Sequence, residues 1–476
     1  MSSTEVDSPI NNRRLQILGV AIAGMAVLAS TFEATATNVI LPQIADEYGI
    51  DIQLVQWVVL TSLAVNCSLL LTMGRLGDIF GRALILRIGF VILAFGSLLL
   101  LISPNFTVII IARGIQAVAT AMMQGVGPGL IVSVFPASQR GRALGIFGTI
   151  TSIGLSAGPI AAGLFAGEFG WRSIYGVMIP VAVIGFAFTT MGFASVRLRD
   201  QNLDIRGAIL YIIWLAPLLF VLNQIRQMGF DSPIILTALF VVALFMPMFV
   251  VSQLRAQQPL VNLAVFKIRS FSLGFVSAFL GFGALSAGFL LIPFYLNEVL
   301  RWSPPLIGVG MAFITGTMVF TALISGRVAD RYGARYPASM GLAFIAIGFW
   351  LLSQLGMQAS IADVLVRILI VGFGLGIFEW PTASSIMGSL PRSMLGVGGA
   401  YMSTARALGF AACSAVFGTI FAAVVLSSSG GASALDATPP HLVEGFEASF
   451  RFAAILAVGG VLAAWFQGDV AIENEN

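Results

Sequence analysis

The 476-residue chain is short of charge: Asp, Glu, Lys and Arg make up only 9% of it. A soluble domain carries about 25%. With 58% apolar residues and a mean hydropathy of +0.98, no water-exposed fold hides this much apolar surface, and lipid is the solvent that fits. Cysteine is scarce too. Cys67 and Cys413 both lie in apolar runs, which excludes a disulfide framework and a thiolate metal site and leaves two small core residues. The single histidine, His441, stands in a polar stretch and reads as solvated. Lys267 is the one lysine, so nearly every cation is an arginine. There is no phosphate-binding loop, no cluster of metal ligands and no nucleophile–base–acid set. The residues needed for ATP-driven transport and for enzyme chemistry are missing, so neither an enzyme nor a resident cofactor is expected. The first apolar run follows a polar N-terminus that ends at Arg14, and it is too long for a cleaved signal peptide.

What is present is a series of apolar runs of about 20 residues, the length that crosses a bilayer as a helix. They fall near 16–40, 54–74, 84–103, 106–134, 143–166, 172–194, 207–226, 233–253, 271–295, 305–326, 338–356, 361–387, 397–425 and 449–467. The predicted fold is an all-α polytopic membrane protein of fourteen spans. With the N-terminus in the cytoplasm, seventeen loop cations fall on the cytoplasmic side, among them Arg75, Arg82, Arg197, Arg199, Arg327, Arg331, Arg335 and Arg392. Four, Arg172, Arg226, Arg301 and Arg451, fall on the other. That is a strong positive-inside bias, and an odd number of spans would scramble it. It predicts both termini in the cytoplasm of a cell-membrane protein. Arg113, Arg367 and Arg406 lie inside spans.

Two charged islands echo each other 252 residues apart: Gly74-Arg-Leu-Gly-Asp-Ile-Phe-Gly-Arg82 and Gly326-Arg-Val-Ala-Asp-Arg-Tyr-Gly-Ala-Arg335. Arg113 finds a partner in Arg367, and the turn Phe135–Gly141 finds one in Leu390–Gly396, at nearly the same offset. Spans one to six and nine to fourteen are therefore two copies of one unit, the organisation of a transporter. The expected division is 1–200 for the first six spans, 201–258 for two inserted spans and 259–476 for the last six. Ser427–Ser449 is expected to be one long, small and polar outer loop.

At this point the chain resembles the major facilitator superfamily, in particular its fourteen-helix drug:proton antiporters. The match covers nearly the whole chain and rests on several motifs in family order. They are Asn38-Val-Ile-Leu-Pro42 late in span one, Gly74–Arg82 after span two, Arg113-Gly-Ile-Gln116 in span four, Gly154–Gly163 in span five, Trp171-Arg-Ser-Ile-Tyr175 opening span six, and Pro259–Phe266 before span nine. Ile79 and Ala83 depart from the usual basic residues, Ala117 replaces a glycine, and Glu33 stands where the family usually has aspartate, nine residues before Pro42.

The resemblance implies a gating role for Arg75, Asp78, Arg82, Asp330 and Arg331. Asp78 is placed to cap a neighbouring helix N-terminus, where a carboxylate gains from the helix dipole. The bland alternative is a topogenic loop, but aspartate and two glycines add nothing to topology. Glu33 lies inside span one, where a carboxylate is costly unless protonated or paired. It reads as a proton-coupling or cation-binding group, or else as a structural hydrogen-bonding one. Arg113 with Gln116 is a second buried polar cluster. Glu33 is a candidate partner for that arginine, and a static hydrogen-bond hub is the alternative. Gly154, Gly158, Pro159 and Gly163 let helices approach closely. The resemblance identifies them as the antiporter motif at the interface between halves, associated with export. Glu379, beside Phe378 and Trp380, sits near the repeat counterpart of Gln124. It is read as a second proton or substrate group, or as an acid paired with Arg367 or Arg406.

The expected function is proton-coupled export of amphipathic or cationic organic compounds by alternating access, with Glu33, Glu379 and Arg113 handling the proton. The expected substrate cavity takes Glu33, Asn38, Gln116, Gln124, Phe378, Glu379 and Trp380. The expected partners are a small-molecule substrate, protons and the lipid bilayer, with no nucleic acid, no metal and a monomeric state. Competing readings are a dedicated exporter of a lipid or natural product, uptake by proton symport, and a non-transporting sensor or scaffold. Short cytoplasmic loops count against the last.

Overall fold

The computed structural model describes residues 13–50, 52–136, 139–191, 203–302, 304–390, 395–429 and 438–468. Arg197, Arg199, Arg392, the N-terminal tail before Arg13 and part of the Leu390–Gly396 turn lie outside the described residues. Among the described residues, fourteen helices are long and apolar enough to cross a membrane. In chain order they are span one Arg13–Tyr48, two Trp57–Phe80, three Arg82–Leu101, four Phe106–Val134, five Arg140–Phe169, six Arg172–Thr190, seven Ile205–Met228, eight Pro233–Arg255, nine Arg269–Glu298, ten Pro304–Tyr332, eleven Arg335–Leu352, twelve Ile361–Gly388, thirteen Leu395–Ser428 and fourteen Pro439–Phe466. Helix is what lipid demands, because each backbone N–H and C=O must find its partner within its own segment. Side chains close several ends: Asn105 accepts from Val108 N–H, Asp204 from Gly207 N–H and Ser360 from Asp363 N–H.

The tight turns between spans two and three and between ten and eleven explain the glycine of the echo. Gly81 and Gly333 have φ of 100° and 82°, a region that costs other residues dearly. The expected outer loop Ser427–Ser449 needs correcting. Span thirteen runs to Ser428 and span fourteen starts at Pro439, because a Pro-Pro pair suits a helix's first positions, where no N–H is needed. His441 therefore lies on a first helical turn, its N–H donating to Thr438 O at 3.1 Å, and is only partly exposed.

The packing repeats as the sequence does. Span one packs on five as nine packs on thirteen, and two packs on four as ten packs on twelve. Across the middle, span five lies against ten and span thirteen against two. Span seven lies across that seam, touching both two and thirteen, and carries span eight on its outer side. Only 11% of the apolar window of span eight is buried, against 67% for span nine, so span eight is a lipid-facing helix.

A candidate substrate cavity between two halves

The ends of spans two and ten are fixed by a reciprocal pair of contacts. Asp330 accepts from the backbone N–H groups of Gly141 and Arg142, both at 2.7 Å, at the start of span five. Asp78 accepts from Val397 N–H at 3.2 Å, in the first turn of span thirteen. Each carboxylate caps a helix of the other half, where the orphan N–H groups and the dipole favour an anion. Arg82 holds Asp78 in place, its Nη2 at 2.8 Å from Oδ1. Bare backbone makes the approach possible: a Cβ on Gly326 would stand 2.3 Å from Gly141 O, and one on Gly145 2.7 Å from Ala322 O. Farther along, Ser156 Oγ donates to Thr315 Oγ1 at 2.8 Å. Beyond that bond, added Cβ atoms at Gly163, Gly167 and Gly308 would meet nothing within 4 Å. The two helices are pinched together at the arginine-rich end.

Within the first half, the spacing of Glu33 on span one and Arg113 on span four brings them into a buried ion pair. Their side chains are 5% and 2% exposed. Arg113 also donates from Nη1 to Gln116 Oε1 at 2.9 Å and from Nε to Val58 O at 3.2 Å, and Gln116 Nε2 donates to Ser97 Oγ at 2.9 Å. A charge at this depth survives only with such partners.

Both halves line a cavity of about 30 Å³, room for roughly two waters. Thr31 of span one, Gln124 of four, Phe147 of five, Glu379 and Trp380 of twelve and Arg406 of thirteen line it. Arg406 Nη1 is 3.0 Å from Glu379 Oε1. Phe147 meets the Trp380 indole edge to face, with ring centroids 5.6 Å apart.

A model of the Major Facilitator Superfamily matches residues 23–414. The chain belongs to that superfamily. Membership makes it a multi-pass membrane transporter and not an enzyme. It is 30% identical over 400 residues to the riboflavin transporter RibZ of Clostridioides difficile strain 630, covering 84% of this chain and 86% of the relative. It is 27% identical over 413 residues to the multidrug resistance protein Stp of Mycobacterium tuberculosis, covering 86% and 76%. The solved structure of the proton:xylose symporter XylE superposes with a TM-score of 0.66 at 14% identity, over 96% of this chain and 97% of that one, which shows the fold.

Within this facilitator fold, several expected site residues move. Phe378 does not border the cavity. It is fully buried inside the second half against Phe282, Gly281 and Gly341: Phe378 and Trp380 point about 100° to opposite sides of Glu379 around the helix, and only the Trp380 side borders the cavity. Gln116 is also fully buried, between Arg113 and Ser97. Asn38 is exposed on span one, bonded to Ala34 O, and does not border the closed cavity. Glu33 faces span four and is outside the lining. Span five does lie at the interface, but Gly154 and Gly158 pack on span one of their own half, against Thr31 and Thr35. The span-five glycines that meet the other half are Gly141, Gly145 and Gly148. Arg331 is exposed and sits over its own neighbour Tyr332, taking no part in the caps. Arg75 is buried, and its Nε finds no hydrogen-bond partner among the described residues. Arg367 pairs with Asp363 at 3.0 Å, one turn earlier, which leaves Glu379 to Arg406. Arg406, offered by the sequence as a candidate partner of Glu379, is the cavity residue left out of the expected lining; its signal was a lone arginine in an apolar span.

Proposed function

We propose that the protein is a proton-coupled exporter of amphipathic organic compounds that works by alternating access. The observation that carries this reading is the titratable Glu33–Arg113 pair, buried in one half beside a cavity that both halves line. An intramembrane carboxylate held by one arginine is the usual material of a proton relay. The reciprocal Asp78 and Asp330 caps supply latches at the arginine-rich end, and the cation distribution supports a cytoplasmic side for that end and for both termini. The drug-resistance name of Stp supports efflux as the direction.

The test is uphill transport in proteoliposomes with an imposed pH gradient. Glu33→Gln should lose proton-driven accumulation while still equilibrating substrate. A variant that accumulates substrate as well as the parent would overturn coupling through Glu33. A second reading, transport of one dedicated compound, is favoured by the riboflavin transporter relative. Competition among several unrelated dyes would support a broad site; inhibition by a single compound would support the dedicated one.

A further inference from the structure

The two buried acid–arginine pairs are built differently. In the Glu33–Arg113 pair both side chains are sealed, at 5% and 2% exposure. In the Glu379–Arg406 pair the acid is sealed at 5%, but the arginine is 33% exposed and lines the cavity. So the cavity offers a partly exposed guanidinium paired with a sealed carboxylate that also borders it. Arg406 makes one hydrogen bond, to Glu379, among the described residues, which leaves most of its five N–H donors open. The Trp380 Nε1–H adds no donor here: it is sealed against Gly148, with no acceptor among the described residues. Gln124 Oε1 already accepts from Asn66 Nδ2 at 3.4 Å, so its amide N–H groups are the part left for a ligand. The hydroxyls of Thr31 and Thr151 are committed to backbone carbonyls of their own helices. Donating leaves the Thr31 and Thr151 oxygens as acceptors, so the unspent donors of the lining are concentrated on Arg406 and the Gln124 amide. Arg406 lies eleven residues into span thirteen, about 16 Å along the helix from its arginine-rich end.

We propose that Arg406 is the substrate-recognising charge and that the site takes amphipathic organic anions, compounds with a carboxylate or phenolate on an aromatic ring system. The proposal rests on the transporter reading of this cavity. The anionic group takes an open edge of the guanidinium, whose in-plane N–H groups suit planar two-oxygen acceptors. The cavity of about 30 Å³ is too small for the ring, which packs against Phe147 and Trp380 once the halves part. Glu379 is then the internal counter-ion: it keeps Arg406 neutralised while the site is empty and competes with the ligand for it. An organic cation, the cargo an unpaired Glu379 would attract, meets a positive group first.

The probe is a matched pair of xanthene dyes, anionic fluorescein and cationic rhodamine 6G, measured by fluorescence polarisation on full-length protein in nanodiscs. Fluorescein should bind at least about ten-fold tighter than rhodamine 6G, and Arg406→Gln should cost about ten-fold or more in fluorescein affinity. Glu379→Gln removes the competitor and should tighten fluorescein binding, a gain that misfolding does not produce. Rhodamine binding as tight as fluorescein, no binding of either dye, an Arg406→Gln variant with unchanged affinity, or weaker fluorescein binding in Glu379→Gln would each overturn the proposal. Equilibrium binding needs no gradient, so this result stands apart from the uphill-transport test of export. Protein that binds fluorescein as described but never accumulates a substrate would sink the export reading and leave the site assignment intact.

Discussion

Arg113 shows what a single buried charge demands of its surroundings. It is 2% exposed, and Glu33, Gln116 and the Val58 carbonyl share its donors. Removing one partner strands the other charge in a medium that solvates it poorly. Arg113→Gln alone is expected to destabilise the fold by about 3–5 kcal/mol. Adding Glu33→Gln should recover much of that loss, because two neutral amides hydrogen-bond where two unpaired charges do not. Thermal unfolding of the two variants in one detergent checks the sign: the double variant should melt above the single one. The depth of Glu33 and Arg113 was legible in the sequence, since any ionisable residue in an apolar run stands out. That Glu379 meets Arg406 and not Arg367 was not legible. Arg367 is twelve positions before Glu379, more than three helical turns away, and it finds Asp363 one turn from itself. A partner on another helix depends on how the two helices are rotated against each other.

Span five is two surfaces on one helix. Gly145 and Gly148 meet the other half, whereas Gly154 and Gly158 meet span one. An added Cβ at Gly158 would stand 2.0 Å from Thr35 Oγ1 and 2.7 Å from Phe32 O, and backbone does not give way. Gly163 has open space. Gly158→Ala should therefore cost stability on the scale of an overpacked core, roughly 1–3 kcal/mol, while Gly163→Ala stays within about 0.5 kcal/mol of the parent. Melting temperatures and transport rates should rank the two in that order; equal effects would mean that the motif acts as a whole and not through contact. The sequence made all these glycines look alike, because small residues at helical spacing mark close packing without saying against what. The inserted pair is a similar case. Tyr211 of span seven sits among Cys67 of span two and Thr404 and Tyr401 of span thirteen, and Phe220 stacks on Trp57 with centroids 5.7 Å apart. Gln253 ties the insertion's two ends together: it donates to Asp204 at 2.8 Å and accepts from Val261 N–H at 2.8 Å. Hydropathy identified two extra spans and carried no hint that one of them covers the seam between halves.

The whole molecule is latched at one end by two carboxylates that obey the internal repeat. Each cap contributes about 1 kcal/mol, so Asp78→Ala with Asp330→Ala should shift the equilibrium between closed and open arginine-rich ends by about thirty-fold. Spin labels at Gln139→Cys and Tyr332→Cys, on exposed positions of facing helices, should report a longer distance population in that variant than in the capped protein. Orientation has its own check. In a background without Cys67 and Cys413, a thiol at Arg331→Cys should react with an impermeant reagent from the cytoplasmic side only, and one at Glu298→Cys from the opposite side only. The number of spans, the side on which the arginines lie, and the twofold repeat were determined by the sequence alone. Lipid makes these local properties: each apolar run must satisfy its own backbone, and each loop charge must stay in water. Which residues face the cavity, which acid meets which arginine, and where span seven lies were decided only by the tertiary structure. Lipid tails and protein interior are equally apolar, so a helix face turned to either reads the same, and only packing against particular neighbours sets its rotation.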